Sequence, residues 1–343
     1  EEDTEDHRRL RVLVDDHAPL RDLMIAIAGH SPYLWRLIQR DAARVLRIIE
    51  EDPELRFASL INSCRDAAAR HGGDEAAMKH ALRRIKQEAA LLIALCDLGG
   101  VWDVVRVTEA LTDLADASLD SALTFLLAEE AAAEKLTATG PDLCKGIVVL
   151  ALGKHGAREL NYSSDIDIVV LYDAQRAALA EGVEPSPFFV KIVKGLVRLI
   201  DEMTADGYVF RVDLRLRPDP GSTPVAISVN SAFAYYESVG QNWERAALIK
   251  ARPVAGDLEI GASFLSDLSP FIWRKYFDFA AIADIHAMKR QIHAVRGHES
   301  IAVAGHDIKL GRGGIREIEF FVQTQQLVFG GRRPALRGRR TLD

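Results

Sequence analysis

The chain has 343 residues, of which 48% are hydrophobic and 27% are charged, and its formal net charge at pH 7 is −7. This composition is typical of a soluble globular protein of two or three domains, large enough to bury a core without disulfide or metal staples. The negative charge argues against a dedicated nucleic-acid-binding protein, and no apolar run reaches the roughly 20 residues that span a bilayer. We therefore expect neither nucleic acid nor membrane among its partners.

The cysteines and the chain ends indicate the redox state of the thiols and the extent of the chain. Cys64, Cys96 and Cys144 are scattered without metal-ligand spacing, as expected of reduced thiols in a cytosolic protein. The chain opens at Glu1 with no initiating Met and stops at Asp343 inside a basic stretch. We expect it to be a piece of a longer protein.

The first part of the chain, residues 10–135, predicts one helix after another. Apolar residues recur there at three- and four-residue spacing, in a stretch rich in Ala, Leu, Arg and Glu. Asp-Pro at 52–53 and His-Gly-Gly at 71–73 are typical of turns. We assign residues 1–138 to an N-terminal helical domain.

Residues 139–285 are expected to form a small α/β core. Apolar runs at 146–152 and 166–172 predict two buried strands, with room between them for one short helix and a loop. Residues 209–217 predict a third strand and residues 225–228 a fourth.

One helix is predicted inside this core, over 188–203. Ser186 suits its N-cap, Pro187 its first turn and Gly207 its stop. After Ala232 the pattern is helical again.

The helical pattern extends to about Phe329, and we assign residues 286–343 to a helical tail that leads toward a missing C-terminal part. The arginines crowded after residue 331 predict a solvated stretch. The expected fold class is therefore α+β and predominantly helical, with a small mixed sheet flanked by helical domains.

Two aspartates open the second predicted strand. In a strand, residues two apart point to the same face, so Asp165 and Asp167 share one face while Ile166 and Ile168 enter the core. Two adjacent carboxylates repel each other unless a cation lies between them, and oxygen ligands suit Mg²⁺ or Mn²⁺. The alternative is a solvated Asp-x-Asp turn.

The third predicted strand carries a third acid among arginines. Strict alternation over 211–217 puts Arg211, Asp213, Arg215 and Arg217 on one face. Arginine forks match phosphate oxygens, and three carboxylates with two cations make a phosphoryl-transfer site. The alternative is an exposed edge strand with salt bridges.

Other residues could bind phosphate. Gly153 and Lys154 follow the first strand, where a glycine turn and a helix start can present backbone N–H groups. Ser163 and Ser164 could hold phosphate oxygens or cap the turn.

At this point the sequence resembles a known family. GKHGARELNYSSDIDIVVLY, at 153–172, is similar to the GKxGxxELxxxSDID signature of glutamine synthetase adenylyltransferases, which belong to the DNA-polymerase-β-like nucleotidyltransferase superfamily. NWERAALIKARPVAGD at 242–257 and IKLGRGGIREIEFF at 308–321 resemble the N-terminal, adenylyl-removing copy of the two nucleotidyltransferase domains. The C-terminal copy usually has VDARLRPSG where this chain has VDLRLRPDP.

The resemblance implies a bacterial cytoplasmic enzyme and a reaction. Phosphate would attack the phosphorus of the AMP on a glutamine synthetase tyrosine and release ADP, with Mg²⁺ or Mn²⁺, two ions, bound by Asp165, Asp167 and Asp213. Implied partners are adenylylated glutamine synthetase, the PII signal protein and the C-terminal adenylyltransferase domain of the same full-length protein. Glu159 belongs to the same signature and could simply brace the loop. The side chains of four residues in the second motif could approach the site or tie the tail to the core: Arg312, Arg316, Glu317 and Glu319.

Two alternatives stay open. One is the forward reaction, ATP-dependent adenylylation of a protein tyrosine, which yields pyrophosphate rather than ADP. The other is a regulatory module that responds to PII or glutamine without turnover.

Overall fold

The computed structural model describes residues 4–274, 306–309 and 311–341. The chain divides into two compact units, each built from several segments. The first unit comprises Glu1–Glu129, Leu160–Ser164 and Gly195–Arg211; the second comprises Glu130–Glu159, Asp165–Lys194 and Val212–Asp343. The three-domain assignment of 1–138, 139–285 and 286–343 stays a prediction, and its second boundary lies outside the described residues.

The first unit is built on consecutive helices, as the sequence predicts. These are α1 (Glu5–Asp16), α2 (Ala18–His30), α3 (Pro32–Arg40), α4 (Ala42–Glu50), α5 (Pro53–Arg65), α6 (Ala67–Arg70), α7 (Glu75–Leu98) and α8 (Val104–Ala132), whose last residues enter the second unit. Both predicted turns are confirmed. Asp52 caps α5, with Pro53 in its first turn, and Asp74 caps α7 directly after the glycine pair.

Helix α7 forms the centre of the first unit. Leu91, Leu92 and Ile93 are fully buried although they are consecutive, so the helix is covered on all sides there. Arg83 on the same helix is also fully buried, and its guanidinium donates to backbone oxygens of the first unit's segment 195–211. Lys86 Nζ lies 4.3 Å from the ring centroid of Phe210.

The second unit contains a five-stranded mixed sheet, in agreement with the expected α+β class. Its strands are β1 (Ile147–Ala151), β2 (Ile166–Tyr172), β3 (Val212–Asp213), β4 (Ala226–Ser228) and β5 (Arg252–Gly256). Strand β2 pairs antiparallel with β1 on one edge and parallel with both β3 and β4 on the other, while β5 pairs antiparallel with β1. Both β1 and the apolar positions of β2 are buried, which accounts for their continuous apolar runs.

The third predicted strand is wrong in length. The sequence predicts this strand over 209–217, but it consists of Val212 and Asp213 alone. The Asp213 carboxylate accepts the backbone N–H of Arg215, 2.8 Å away, which turns the chain. A turn closed by Pro218 and Pro220 follows, so no strand can continue there.

Two further predictions need correction. The core helix α10 runs from Pro185 to Asp201, so Ser186 lies inside its first turn instead of capping it, and the chain leaves the helix well before Gly207. The region after Ala232 is not uniformly helical, because β5 interrupts it. This strand is short, contains a proline and follows an Ala- and Leu-rich helix, so its sequence lacks a clear alternating pattern.

Short helices complete the second unit. They are α9 (Gly153–Gly156), α11 (Val229–Ser238), α12 (Asn242–Leu248), α13 (Leu258–Asp267), α14 (Ser269–Ile272) and α15 (Ile315–Phe329). The prediction of a solvated arginine stretch is wrong in part, because Arg337 Nε donates to Gly330 O and Arg339 Nε donates to Ala251 O. Among the described residues, no helix is long and apolar enough to cross a membrane.

Candidate active site

The structure brings two of the three predicted acids side by side. Asp167 on β2 and Asp213 on β3 are register partners in a parallel pair, so their side chains leave the same face of the sheet. Asp165 lies one residue before β2 begins and is exposed. The sequence predicts that Asp165 and Asp167 share a strand face, whereas the structure places Asp165 outside the strand and pairs Asp167 with Asp213.

The carboxylates of this site differ in electrostatic environment. Burial is the main cause that raises the pKa of Asp167 to about 6, and the neighbouring charges of Asp213 and Asp165 contribute to the same rise. The pKa of Asp213 is lowered, chiefly by its hydrogen bonds from Arg215. Close negative charges thus oppose ionisation at the more buried acid, which is the setting in which an added cation binds favourably.

Arg215 is bound to Asp213 in the described structure. Its Nε lies 3.0 and 2.9 Å from the two carboxylate oxygens, and its side chain is 83% exposed. An exposed arginine at the edge of an acidic site can exchange its carboxylate for a phosphate, because the guanidinium fork fits both.

Arg217 does not share that face, and the expectation that it does is wrong. Its guanidinium donates to the backbone oxygens of Leu214, Pro220 and Thr223, so it stabilises the turn after β3. The prediction relied on the alternation of side chains along a strand, and this alternation does not apply to Arg217 because it lies on a turn.

A glycine turn closes over Asp167. Gly153 has φ +54°, and a Cβ atom at this position would collide with the Asp167 carboxylate. Leu152 N donates to Asp167 O at 2.9 Å. Glycine is therefore required both by the left-handed backbone and by the close approach of the acid.

The predicted phosphate turn is short. Helix α9 has four residues, and the N–H groups of Gly156 and Ala157 bond to the carbonyls of Leu152 and Gly153. Lys154 is half-buried on this turn. The amides at the end of the turn thus donate to carbonyls of the same turn and are not free to bind phosphate. Lys154 is the charged side chain of this turn that could do so.

The remaining predicted residues lie in the first unit. Arg211 Nη2 donates to Ser163 O at 2.6 Å, and Ser164 Oγ donates to Asn161 Oδ1. These contacts favour the capping interpretation of Ser164. They also give Arg211 a local backbone partner.

A buried lysine cluster was only partly visible in the sequence. Lys250 bonds to Glu159, Glu319 and Thr341, residues separated by up to 182 positions along the chain. The two glutamates and the lysine stand in motifs of the family signature, whereas Thr341 carries no sequence signal. Glu159 braces this region, as expected, through both of its oxygens.

The donor chemistry of the aspartate site fits a hard divalent cation. It consists of carboxylate oxygens, which Mg²⁺ and Mn²⁺ prefer. No group of three or more His, Cys, Asp or Glu side chains within 4–274, 306–309 and 311–341 is already spaced as a metal-ligand set.

Comparison with known proteins gives close relatives. The chain is 59% identical over 330 residues to the bifunctional glutamine synthetase adenylyltransferase/adenylyl-removing enzyme of Xanthobacter autotrophicus, covering 95% of this chain and 33% of the relative. Proteins of the same name from Rhodopseudomonas palustris and Bradyrhizobium diazoefficiens are 56% and 54% identical, each covering 94% of this chain and 33% of the relative. The chain thus spans about a third of the length of the curated relatives it matches.

Family models match two parts of the chain. The GlnD PII-uridylyltransferase model matches residues 285–342, much of which lies outside the described residues. The glutamate-ammonia ligase adenylyltransferase model matches residues 21–267, which include all three aspartates. By that match the chain belongs to the glutamate-ammonia ligase adenylyltransferase family.

Proposed function

We propose that this chain removes AMP from adenylylated glutamine synthetase by phosphorolysis. A phosphate oxygen would bond to the phosphorus of the tyrosine-linked AMP, and the bond from phosphorus to the tyrosine oxygen would break. The products are ADP and free tyrosine, whose phenolate takes up a proton. No side-chain nucleophile is needed for this exchange.

The observation that carries the proposal is the register pairing of Asp167 with Asp213. It places two carboxylates on one face, with Asp165 just outside the strand. The wording of the motifs around these acids supports the removing reaction over the forward one. The relatives' name includes both activities.

Asp165, Asp167 and Asp213 would hold divalent cations, Mg²⁺ or Mn²⁺, with two ions expected. Bound there, such ions would screen the repulsion between an anionic phosphate and an anionic phosphodiester.

The arginine and lysine would orient the phosphate. Arg215 is exposed and bound to an acid of the site, so it can deliver its guanidinium to a phosphate oxygen without leaving the site. Lys154 on the turn beside Asp167 would add a second positive charge. Gly153 permits that turn to lie against the carboxylate.

Partners belong to the same proposal. Glutamine synthetase is the protein that the relatives' names specify. The PII signal protein and a C-terminal adenylyltransferase domain are proposed as regulator and covalent neighbour. A cytoplasmic location in a bacterium would follow from these partners.

Product identity tests the proposal. The chain is mixed with adenylylated glutamine synthetase, Mg²⁺ and phosphate, and nucleotides are separated by chromatography. We expect ADP that depends on phosphate. Pyrophosphate from ATP with unmodified synthetase would instead establish the forward reaction, and absence of both products would favour a regulatory binding role.

A further inference from the structure

A hydroxyl group near the end of the chain lies between a buried lysine and a partly buried glutamate. Thr341 Oγ1 accepts a hydrogen bond from Lys250 Nζ at 3.1 Å and donates one to Glu159 Oε2 at 2.9 Å. The Thr341 backbone N–H donates to the other carboxylate oxygen, Glu159 Oε1, at 2.5 Å. The side chains of Lys250 and Glu159 are 3% and 23% exposed, so these hydrogen bonds are largely shielded from water and are stronger than they would be at the surface.

Glu159 ends the segment that begins with the glycine turn. Its backbone N–H donates to Lys154 O at 2.8 Å, across the turn. The amide of Glu159 therefore closes the turn, while its carboxylate is bound by Thr341 and Lys250. The end of the turn cannot move without breaking hydrogen bonds to that carboxylate.

The beginning of the same turn touches the aspartate site. A Cβ atom on Gly153 would collide with the Asp167 carboxylate, and one on Gly156 would collide with the Lys250 carbonyl. The turn is thus packed tightly against the acid and against the lysine backbone. Because close-packed interiors transmit small displacements, a movement at Glu159 would change the position of Gly153 beside Asp167.

The segment that carries Thr341 is itself bonded to the second unit. Gln326 Nε2, on α15, donates to Gly338 O at 2.7 Å, and Arg339 Nε donates to Ala251 O at 3.0 Å. Thr341 therefore reaches Glu159 from a fixed segment.

We propose that Thr341 is a positioning residue for the glycine turn: through Glu159 it holds the turn against Asp167, where Lys154 can meet the phosphate. The chemical consequence rests on the proposed function, whereas the holding of the turn does not. Thr341 acts through Glu159 and not by contact with the phosphate.

Hydrogen exchange of the turn tests the positioning directly. Amide exchange is followed by mass spectrometry in a peptide spanning residues 153–159, in the wild type, Thr341→Val and Thr341→Ser. Valine keeps the shape of threonine but loses both hydroxyl bonds, whereas serine keeps the hydroxyl. We expect exchange about five- to twentyfold faster in Thr341→Val, the effect of losing a hydrogen bond to a charged group, and within about twofold of the wild type in Thr341→Ser.

Thr324→Val is the matched control. It removes a threonine hydroxyl that donates to Phe320 O at 2.7 Å within α15, so exchange in the turn should keep the wild-type rate. Equal acceleration in Thr341→Val and Thr341→Ser, or in Thr341→Val and Thr324→Val, would overturn the inference, because the Thr341 hydroxyl would not be what holds the turn. Unchanged exchange in Thr341→Val would overturn it too.

The KM for phosphate connects the turn to the reaction. At saturating Mg²⁺ and adenylylated glutamine synthetase, Thr341→Val should raise this KM about three- to tenfold with kcat within about threefold, and Thr341→Ser should restore it. Faster exchange with an unchanged KM would overturn the role in phosphate binding. If the wild type releases no ADP, the proposed function fails, while the exchange experiment still decides whether Thr341 holds the turn.

Discussion

The two units bury their lysines in opposite ways. In the first unit, Lys86 lies over the Phe210 ring and has no acidic partner among the described residues, and burial lowers its pKa to about 8. In the second unit, Lys250 is bound by Glu159 and Glu319. A buried cation without a counter-ion destabilises the folded state. A cation between two buried acids instead compensates their charges, so its removal destabilises the fold.

Another buried cation of the first unit is also bound by uncharged groups. The Arg83 guanidinium in the first unit donates to four backbone carbonyls, as expected of a side chain that cross-links a scaffold. The second unit gathers carboxylates close enough to raise the pKa of Asp167. Neighbouring carboxylates that repel each other and shift a pKa are typical of a functional site. The second unit contains such a group.

The largest expected effect comes from breaking the paired lysine. Lys250→Met leaves Glu159 and Glu319 without their shared cation and should lower the free energy of unfolding by about 3–5 kcal/mol. Urea denaturation at pH 7.5 measures this. A loss below about 1 kcal/mol would show that the glutamates find other partners, and the contrast between the lysines would fail.

Arg83→Met should have the next largest effect. It removes the donor that satisfies the carbonyls of Leu199, Glu202 and Gly207, at an expected cost of about 2–4 kcal/mol. Arg84→Met is the matched control. Its side chain is 43% exposed and pairs with Asp41 at 2.8 Å, so it should cost less than about 1 kcal/mol. Equal losses by urea denaturation would contradict this assignment.

Gly153→Ala tests the contact between turn and acid. The left-handed backbone and the collision with Asp167 should together cost about 2 kcal/mol and lower ADP formation at least about tenfold. Gly182 provides the control, because it has φ +81° and open space around it, so Gly182→Ala carries the strain alone. If both variants keep full activity, the turn does not shape the site.

Lys86→Met should stabilise the protein, by about 1–2 kcal/mol at pH 7.5. The folded-state pKa is about 8 and the ordinary value is 10.5, so the unfolded chain binds more protons between these pH values. Wild-type stability attributable to this lysine therefore rises as pH increases from about 8 to 10.5. The difference in urea midpoint between wild type and variant should be smaller at pH 9.5 than at pH 7.5. An equal difference at both pH values would contradict the pKa shift.

Local pattern was sufficient to predict much of this fold. Helical spacing predicted the helices of the first unit, apolar runs predicted β1 and β2, and residue spacing singled out Asp165, Asp167 and Asp213 as candidate ligands. These features depend on neighbours within a few positions, where side-chain period and secondary structure are directly linked.

Long-range contacts could not be obtained in this way. The alternation at 211–217 was convincing, yet the Asp213 carboxylate turns the chain by accepting Arg215 N–H, which a periodicity argument does not weigh. The bond from Thr341 to Glu159 joins residues 182 positions apart. Such a contact depends on tertiary packing, for which one sequence carries no local signal.

We propose that the carboxylate pair on β2 and β3 carries the reaction. Phosphate-dependent ADP release from adenylylated glutamine synthetase is compared for the wild type, Asp213→Asn and the control Asp142→Asn, whose carboxylate is 62% exposed and pairs with Lys145. We predict that Asp213→Asn loses at least about a thousandfold in rate at an unchanged melting temperature, as expected for a group needed in the transition state, while Asp142→Asn retains full rate. Full ADP release by Asp213→Asn would contradict the account.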